Sequence, residues 1–388
     1  MINKPETSEL FGIHYATRRP VRIEIENGFI VRASDEGVDD IKDRDTIIAP
    51  GLIDNQINGY QGIDFADGSL TTRRLKTATE AIWKDGVTSF MPTLVTDSHD
   101  KLKRSFMSLA RASSDEFFMG CIPGFHLEGP YLSPEPGFYG CHPAQHLRKP
   151  SWSEFTEYQE AAMGRIMEVT IAPELEGAIE FIRLSALSGV IVSIGHTNAN
   201  AVQIDLAVKN GAKLSTHLGN GCANLIDRHR NPLWPQLANK LLTPSIIADG
   251  HHLLPEEIVV FYKVKGPKNM ILTSDVTHLI GMAPGEYVYM GARVIKTIDG
   301  LIKNPELNCL AGASLPLKKG LETMMNYTGC SLGEAVNLAA RNVARIYNLP
   351  DRGAIGPGKR ADLILFKNKG NKITIKETYV KGVCVFRA

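Results

Sequence analysis

Short runs of apolar and β-branched residues recur along the middle of the chain, separated by longer amphipathic or alanine-rich stretches. The runs are LIDNQING (52–59), VTSFMPTL (87–94), MGCIPGFHLEG (119–129), EVTIAPE (168–174), VIVSIGH (190–196), AKLSTHLGNG (212–221), PSIIADGHH (244–252) and MILTSD (270–275). Runs of this length between turn residues read as buried strands. The stretches RRLKTATEAIWKDG, AIEFIRLSALSG and NANAVQIDLAVKNG read as helices, and Gly86, Gly189 and Gly211 suit their C-terminal stops. Eight strand–helix units predict an α/β fold, a (β/α)8 TIM-like barrel whose functional residues gather at the C-terminal ends of its strands. A doubly wound open sheet is the structural competitor. It would not readily bring positions 56, 128, 196, 217 and 275 to one point.

The ends break this rhythm. VRIEIENGFIVRAS, with a turn at Asn27-Gly28, and TIIAP are strand-like, as are GAIGPGKRADLILF and KITIKETYVKGVCVF near the other end. Both ends are β and the middle is complete, so residues 1–48 and 345–388 are expected to form one discontinuous β-sandwich around a barrel of residues 49–344. The length of 388 residues accommodates this, since a barrel alone uses about 250.

Charge adds an exclusion. With 43 Lys and Arg against 42 Asp and Glu, the chain has no bulk attraction to nucleic acid or an anionic membrane. The six cysteines, at 121, 141, 222, 309, 330 and 384, form no CxxC pair and read as buried small hydrophobes. MINKPETSEL lacks the apolar core of a signal peptide and no stretch nears 18 apolar residues, so the cytoplasm is the expected location.

The chemistry lies in HLEG, SIGH and STHLGNG. Each puts a polar side chain (Glu128, His196, His217) where a buried strand reaches the surface. One carboxylate and two imidazoles from separate strands suit a divalent ion with an open position; Zn²⁺, Fe²⁺, Co²⁺ and Mn²⁺ all accept this set. Singly, Glu128 also fits a salt bridge and each histidine a structural hydrogen bond, so the weight lies in the constellation. Asp275 ends MILTSD and is a candidate proton shuttle for water activated at the metal. Gln56 and Asn58 alternate along the first strand and should both face the mouth. Neutral amides are poor transition-metal ligands, so they argue for one metal and for hydrogen bonds to water or nucleophile. His142 and His252 are loop histidines able to polarise a carbonyl or hold an anion. His126 reads as a supporting residue. Asn220 and Gly221 follow His217 in a loop able to cradle an anion, and Arg228 lies just beyond.

In order, APGLIDNQINGYQGIDF, GFHLEGPYLSPEPGFYGCHP, SIGHTNA, THLGNG, ADGHH, LTSDVT and LAGASLPL resemble the N-acetylglucosamine-6-phosphate deacetylase family of the amidohydrolase superfamily. The closing GAIGPGKRADLILF is similar to that superfamily's last β segment. The resemblance implies a (β/α)8 barrel with a β-sandwich from both termini, in a homodimer. It implies one divalent metal, Zn²⁺ foremost, on Glu128, His196 and His217. It makes Asp275 general base and then acid, and gives His142 the acetamido carbonyl. Gln56 and Asn58 match the single-metal members. Asn220, Gly221, Arg228 and His252 fall where the amino-sugar substrate and its phosphate are held, the arginine reaching over from the partner subunit.

Three departures stand out. The family reads HLFNAM where this chain has His217-Leu218-Gly219-Asn220-Gly221-Cys222, and NLIDRHRNPLWPQLANK is unlike the usual continuation. Arg228 therefore matches by distance from His217 alone. Thr273-Ser274 before Asp275 is also altered. The hydrolytic residues match while the recognition loop differs, so hydrolysis of an N-acetylated amino sugar is expected, with the 6-phosphate ester as substrate. The alternative is another amide: an N-acyl amino acid, a cyclic amide or an unphosphorylated acetyl sugar.

Overall fold

The computed structural model describes residues 7–35 and 45–388, so the stretches 1–6 and 36–44 of the expected N-terminal β region lie outside the described residues. Eight parallel strands form one sheet in chain order: Leu52–Ile57, Val87–Val95, Phe125–Glu128, Ile166–Ile171, Ile191–Ile194, Ala212–Ser215, Thr243–Ile246 and Ile271–Leu272. Each lies within or overlaps one of the eight apolar runs. The first two strands are buried at every position, which is why these runs show no polar alternation. Beyond Leu272 the chain returns to the first strand. Asp275 N–H donates to the Gln56 carbonyl at 3.1 Å, and Asn58 N–H to the Val276 carbonyl at 2.8 Å. Ile57 and Val276 form a parallel bridge there, closing a TIM-like barrel.

The three expected helices are Thr72–Lys84, Ala178–Leu187 and Ala201–Lys209. Thr71 caps the first through Arg74 N–H, and Asn200 with Gln203 forms a capping box on the third. Gly86, Gly189 and Gly211 each follow the C-cap residue with φ of 83°, 85° and 113°, a region that disfavours side chains.

Strands from both ends of the chain enter a single seven-stranded sheet. Its order is Val383–Arg387, Lys372–Val380, Leu363–Lys369, Ile47–Pro50, Thr7–His14, Pro20–Glu26 and Phe29–Ser34. Asn27 and Gly28, at φ 52° and 81°, make the two-residue turn of its N-terminal hairpin. Ile23, Ile30, Ile48 and Leu363 form a small core on this sheet. Thr378 Oγ1, donating to the Trp83 carbonyl at 2.8 Å, ties it to the first barrel helix.

A four-stranded antiparallel sheet (Gly285–Tyr289, Ala292–Lys296, Ile302–Asn304, Cys309–Leu310) follows the eighth barrel strand. The apolar periodicity did not reveal it. Inside the barrel, Tyr347 Oη donates to Glu168 Oε2 at 2.6 Å, and Asn55 Nδ2 donates to the same oxygen at 3.3 Å and to Tyr347 Oη at 3.0 Å. All three side chains are buried. Tyr347→Phe leaves Glu168 short of a donor in a buried site. We expect it to lower the unfolding free energy by about 1–3 kcal/mol, read from denaturant midpoints at unchanged slope.

Candidate active site

At the C-terminal ends of the barrel strands a cleft of about 840 Å³ is lined by Asn58, Glu128, His142, His196, His217, Asn220, Gly221, His252 and Asp275. Glu128 is the last residue of the third strand. His196, His217 and Asp275 lie just past theirs, at φ 50°, 28° and 50°. That left-handed turn is costly for residues with a Cβ and is retained where the surroundings enforce it. Here it accompanies the convergence of all three side chains on the mouth.

One donor atom each from Glu128, His196 and His217 lies within 4.8 Å of the others. His217 Nε2 is 2.8 Å from Glu128 Oε1, and His196 Nε2 is 3.4 Å from that oxygen and 3.2 Å from His217 Nε2. His196 Nδ1 sits 3.0 Å from the Phe138 carbonyl, an acceptor, so Nδ1 carries a proton and the ring turns Nε2 toward the cluster. Burial alone would raise the Glu128 carboxyl, but hydrogen bonds from His196 and His217 outweigh it and hold the group well below its usual range. A buried carboxylate and two imidazoles crowded on one point are the donor set of a single divalent cation. The residues present fit one.

Asp275 faces this cluster. Asn58 Nδ2 donates to its Oδ1 at 2.7 Å and Gln56 Nε2 to the same oxygen at 3.0 Å. Burial, then the negative Glu128 carboxylate, pushes Asp275 up to about 7. A cation held by Glu128 offsets that second cause. Gln56 thus points at Asp275 and is absent from the cleft lining, whereas Asn58 meets both. His142 Nδ1 is 2.8 Å from Thr96 Oγ1, and its Nε2 is 3.9 Å from Glu128 Oε2. Burial, then the neighbouring His196, pushes this ring down to about 3, leaving a neutral imidazole. His252 Nδ1 pairs with Asp249 Oδ2 at 2.8 Å.

The structure does not bring Arg228 to this cleft. Its side chain is exposed in the loop after His217, and its carbonyl accepts from Trp234 Nε1 at 3.0 Å. His126 supports the strands from below, 2.8 Å from Thr170 Oγ1. Sequence reasoning missed the wall built by Tyr289, Lys303 and Leu310 of the inserted sheet. Its available signal was Met290-Gly291, a two-residue turn at φ 52° and 79° between EYVY and ARVIK. Phe138 acts through its backbone, for which side-chain identity carries no signal.

The model of the amidohydrolase family matches residues 47–385. N-acetylglucosamine-6-phosphate deacetylase of Bacillus subtilis (strain 168) is 31% identical over 325 residues, 83% of this chain and 81% of the relative. The chain belongs to the N-acetylglucosamine-6-phosphate deacetylase family of amidohydrolases. The family member of Caenorhabditis elegans is 31% identical over 355 residues, 88% of this chain and 83% of that one. Among solved family structures, a mutant enzyme from Mycobacterium smegmatis in complex with N-acetyl-D-glucosamine-6-phosphate superposes with a TM-score of 0.87 at 27% identity, covering 98% of this chain and 99% of that one. The enzyme from Thermotoga maritima gives 0.85 at 27% identity over 99% and 100%.

As an amidohydrolase with this donor set, the chain should bind about one equivalent of a divalent cation, tested with Zn²⁺ as the probe. Glu128→Gln removes the only anionic ligand of the set and should reduce binding to a small fraction of that in equilibrium dialysis. Retention of a full equivalent would exclude Glu128 as a ligand.

Proposed function

We propose that this chain hydrolyses the acetamido group of N-acetylglucosamine 6-phosphate to acetate and the free amino sugar, as a cytoplasmic homodimer carrying one Zn²⁺. The observation that carries this reading is the meeting of Asp275 with the Glu128–His196–His217 cluster in one cleft. It is supported by deacetylase relatives that align over more than four-fifths of their length (81% and 83%).

The cation, for which Fe²⁺, Co²⁺ or Mn²⁺ can substitute on the same donors, supplies Lewis acidity toward water and the acetamido carbonyl. Gln56 and Asn58 pin Asp275 Oδ1. Oδ2 is then the oxygen that takes the proton of the attacking water and returns it to the leaving amine. His142, accepting the Thr96 hydroxyl at Nδ1, presents Nε2–H to the substrate carbonyl and stabilises charge developing there. Asn220, Gly221 and His252 line the side of the cleft where the sugar sits. Arg228 is outside its own cleft, so in our reading it meets the phosphate of a substrate bound by the partner subunit. Its position also favours a second reading, an unphosphorylated acetyl sugar.

Acetate release from N-acetylglucosamine 6-phosphate and from N-acetylglucosamine, with one equivalent of Zn²⁺, separates the two. We expect a strong preference for the phosphate ester, with Arg228→Ala raising KM for it and leaving the neutral sugar unaffected. Equal rates would shift the assignment to the neutral sugar, and turnover of neither would refute the deacetylase reading. Asp275→Asn keeps the hydrogen-bonding shape but removes the proton carrier. It should lower kcat by about 10²–10⁴-fold while metal content stays at one equivalent; a near-normal rate would contradict the role given to Asp275.

A further inference from the structure

The chemistry above uses none of the six cysteines, and two of them meet at the cleft. Only Cys121 of the six is buried; Cys141 and Cys309 are half-buried, which departs from the expectation of six buried hydrophobes. They are 168 residues apart in the chain, yet their Sγ atoms are 2.7 Å apart. Non-bonded heavy atoms rest at about 3.5–4 Å, and bonded sulfurs at about 2.05 Å. The pair therefore stands inside ordinary contact, with no atom between.

A shared metal ion does not explain this approach. Thiolates each about 2.3 Å from Zn²⁺ in tetrahedral directions stand well beyond that separation. Among the described residues the grouping able to hold an ion is Glu128–His196–His217, to which neither cysteine belongs.

The location gives the pair a consequence. Cys141 directly precedes His142, in the segment whose Phe138 carbonyl fixes His196 Nδ1. Cys309 opens the last strand of the inserted sheet, paired with Asn304. Both cysteines line the cleft, Cys141 in the segment that carries His142 and Cys309 in the inserted sheet.

We infer that Cys141 and Cys309 form a reversible disulfide across the cleft rim, which ties the His142 segment to the inserted sheet and restricts passage to the metal site. The oxidant is a low-molecular-weight disulfide. One cysteine thiolate attacks it, forming a mixed disulfide and expelling one small thiol. The other cysteine attacks the protein sulfur of that mixed disulfide and expels the second small thiol. Two protein thiols become one S–S bond, the oxidant's S–S bond is reduced, and the two hydrogens leave on the small thiols.

The test treats full-length, Zn²⁺-loaded protein with excess oxidised glutathione. We expect the intact mass to fall by two hydrogens with no retained glutathione, and digestion to give a peptide joining Cys141 to Cys309. A dithiol reductant should reverse both. The oxidised protein should surrender its metal to a chelator severalfold more slowly than the reduced protein, a difference absent in Cys309→Ser. A persistent glutathione adduct, a crosslink through Cys222, or no oxidation would overturn the disulfide. A Cys141–Cys309 bond with an unchanged chelation rate would overturn the restriction of the rim. No readout involves substrate, so failure here is distinguishable from failure of the deacetylase reading.

Discussion

Asp275 N–H donates to the Gln56 carbonyl and Asn58 N–H to the Val276 carbonyl, and these two bonds close the barrel where its first and last strands meet. The same residues turn their side chains toward one another, with both amides converging on Asp275 Oδ1. Closure and the cradle of the carboxylate are thus one feature. Side chains alternate along a strand, so a slip of one residue at this seam would send Gln56 and Asn58 to the opposite face and strand the carboxylate without donors. Burying that group without them would be costly.

Backbone strain is concentrated in the same place. His196, His217 and Asp275 all adopt left-handed conformations immediately after barrel strands. Neighbouring bonds hold two of them there: Phe138 to the His196 ring, and Ser245 Oγ, which accepts His217 N–H at 2.8 Å. Asp275 is held on both sides, since its N–H reaches Gln56 and its carbonyl accepts Ala313 N–H at 2.9 Å. Rigid strands deliver the chain to within two or three residues, and the turn does the final aiming.

The barrel was legible because its strands are mostly buried on both faces and three of its helices stop at glycine. Glu128, His196 and His217 were legible as polar residues where such runs end. What escaped depends on geometry that periodicity does not encode. Gln56 lies on the first strand and Asn58 one residue beyond its end, but nothing in DNQING says that their partner is Asp275 and not open cleft. The inserted sheet escaped because Gly285–Tyr289 is half-buried or exposed except at Tyr289, so little hydrophobic alternation survives. Arg228 was assigned by distance along the chain, which does not fix the direction in which a loop carries a side chain. Cys141 and Cys309 carry no local spacing signal at all.

The inserted sheet leaves and rejoins the barrel at one stem. Val276 bridges Ala313, while Thr277 N–H donates to the Ala313 carbonyl at 2.9 Å. Residues 278–311 are therefore an excursion whose two feet stand together beside the Asp275 carboxylate. The entropic cost of lengthening such an excursion grows only logarithmically with its length. Such an excursion can be lengthened, trimmed or replaced to reshape this wall of the cleft, while the stem keeps Asp275 in place.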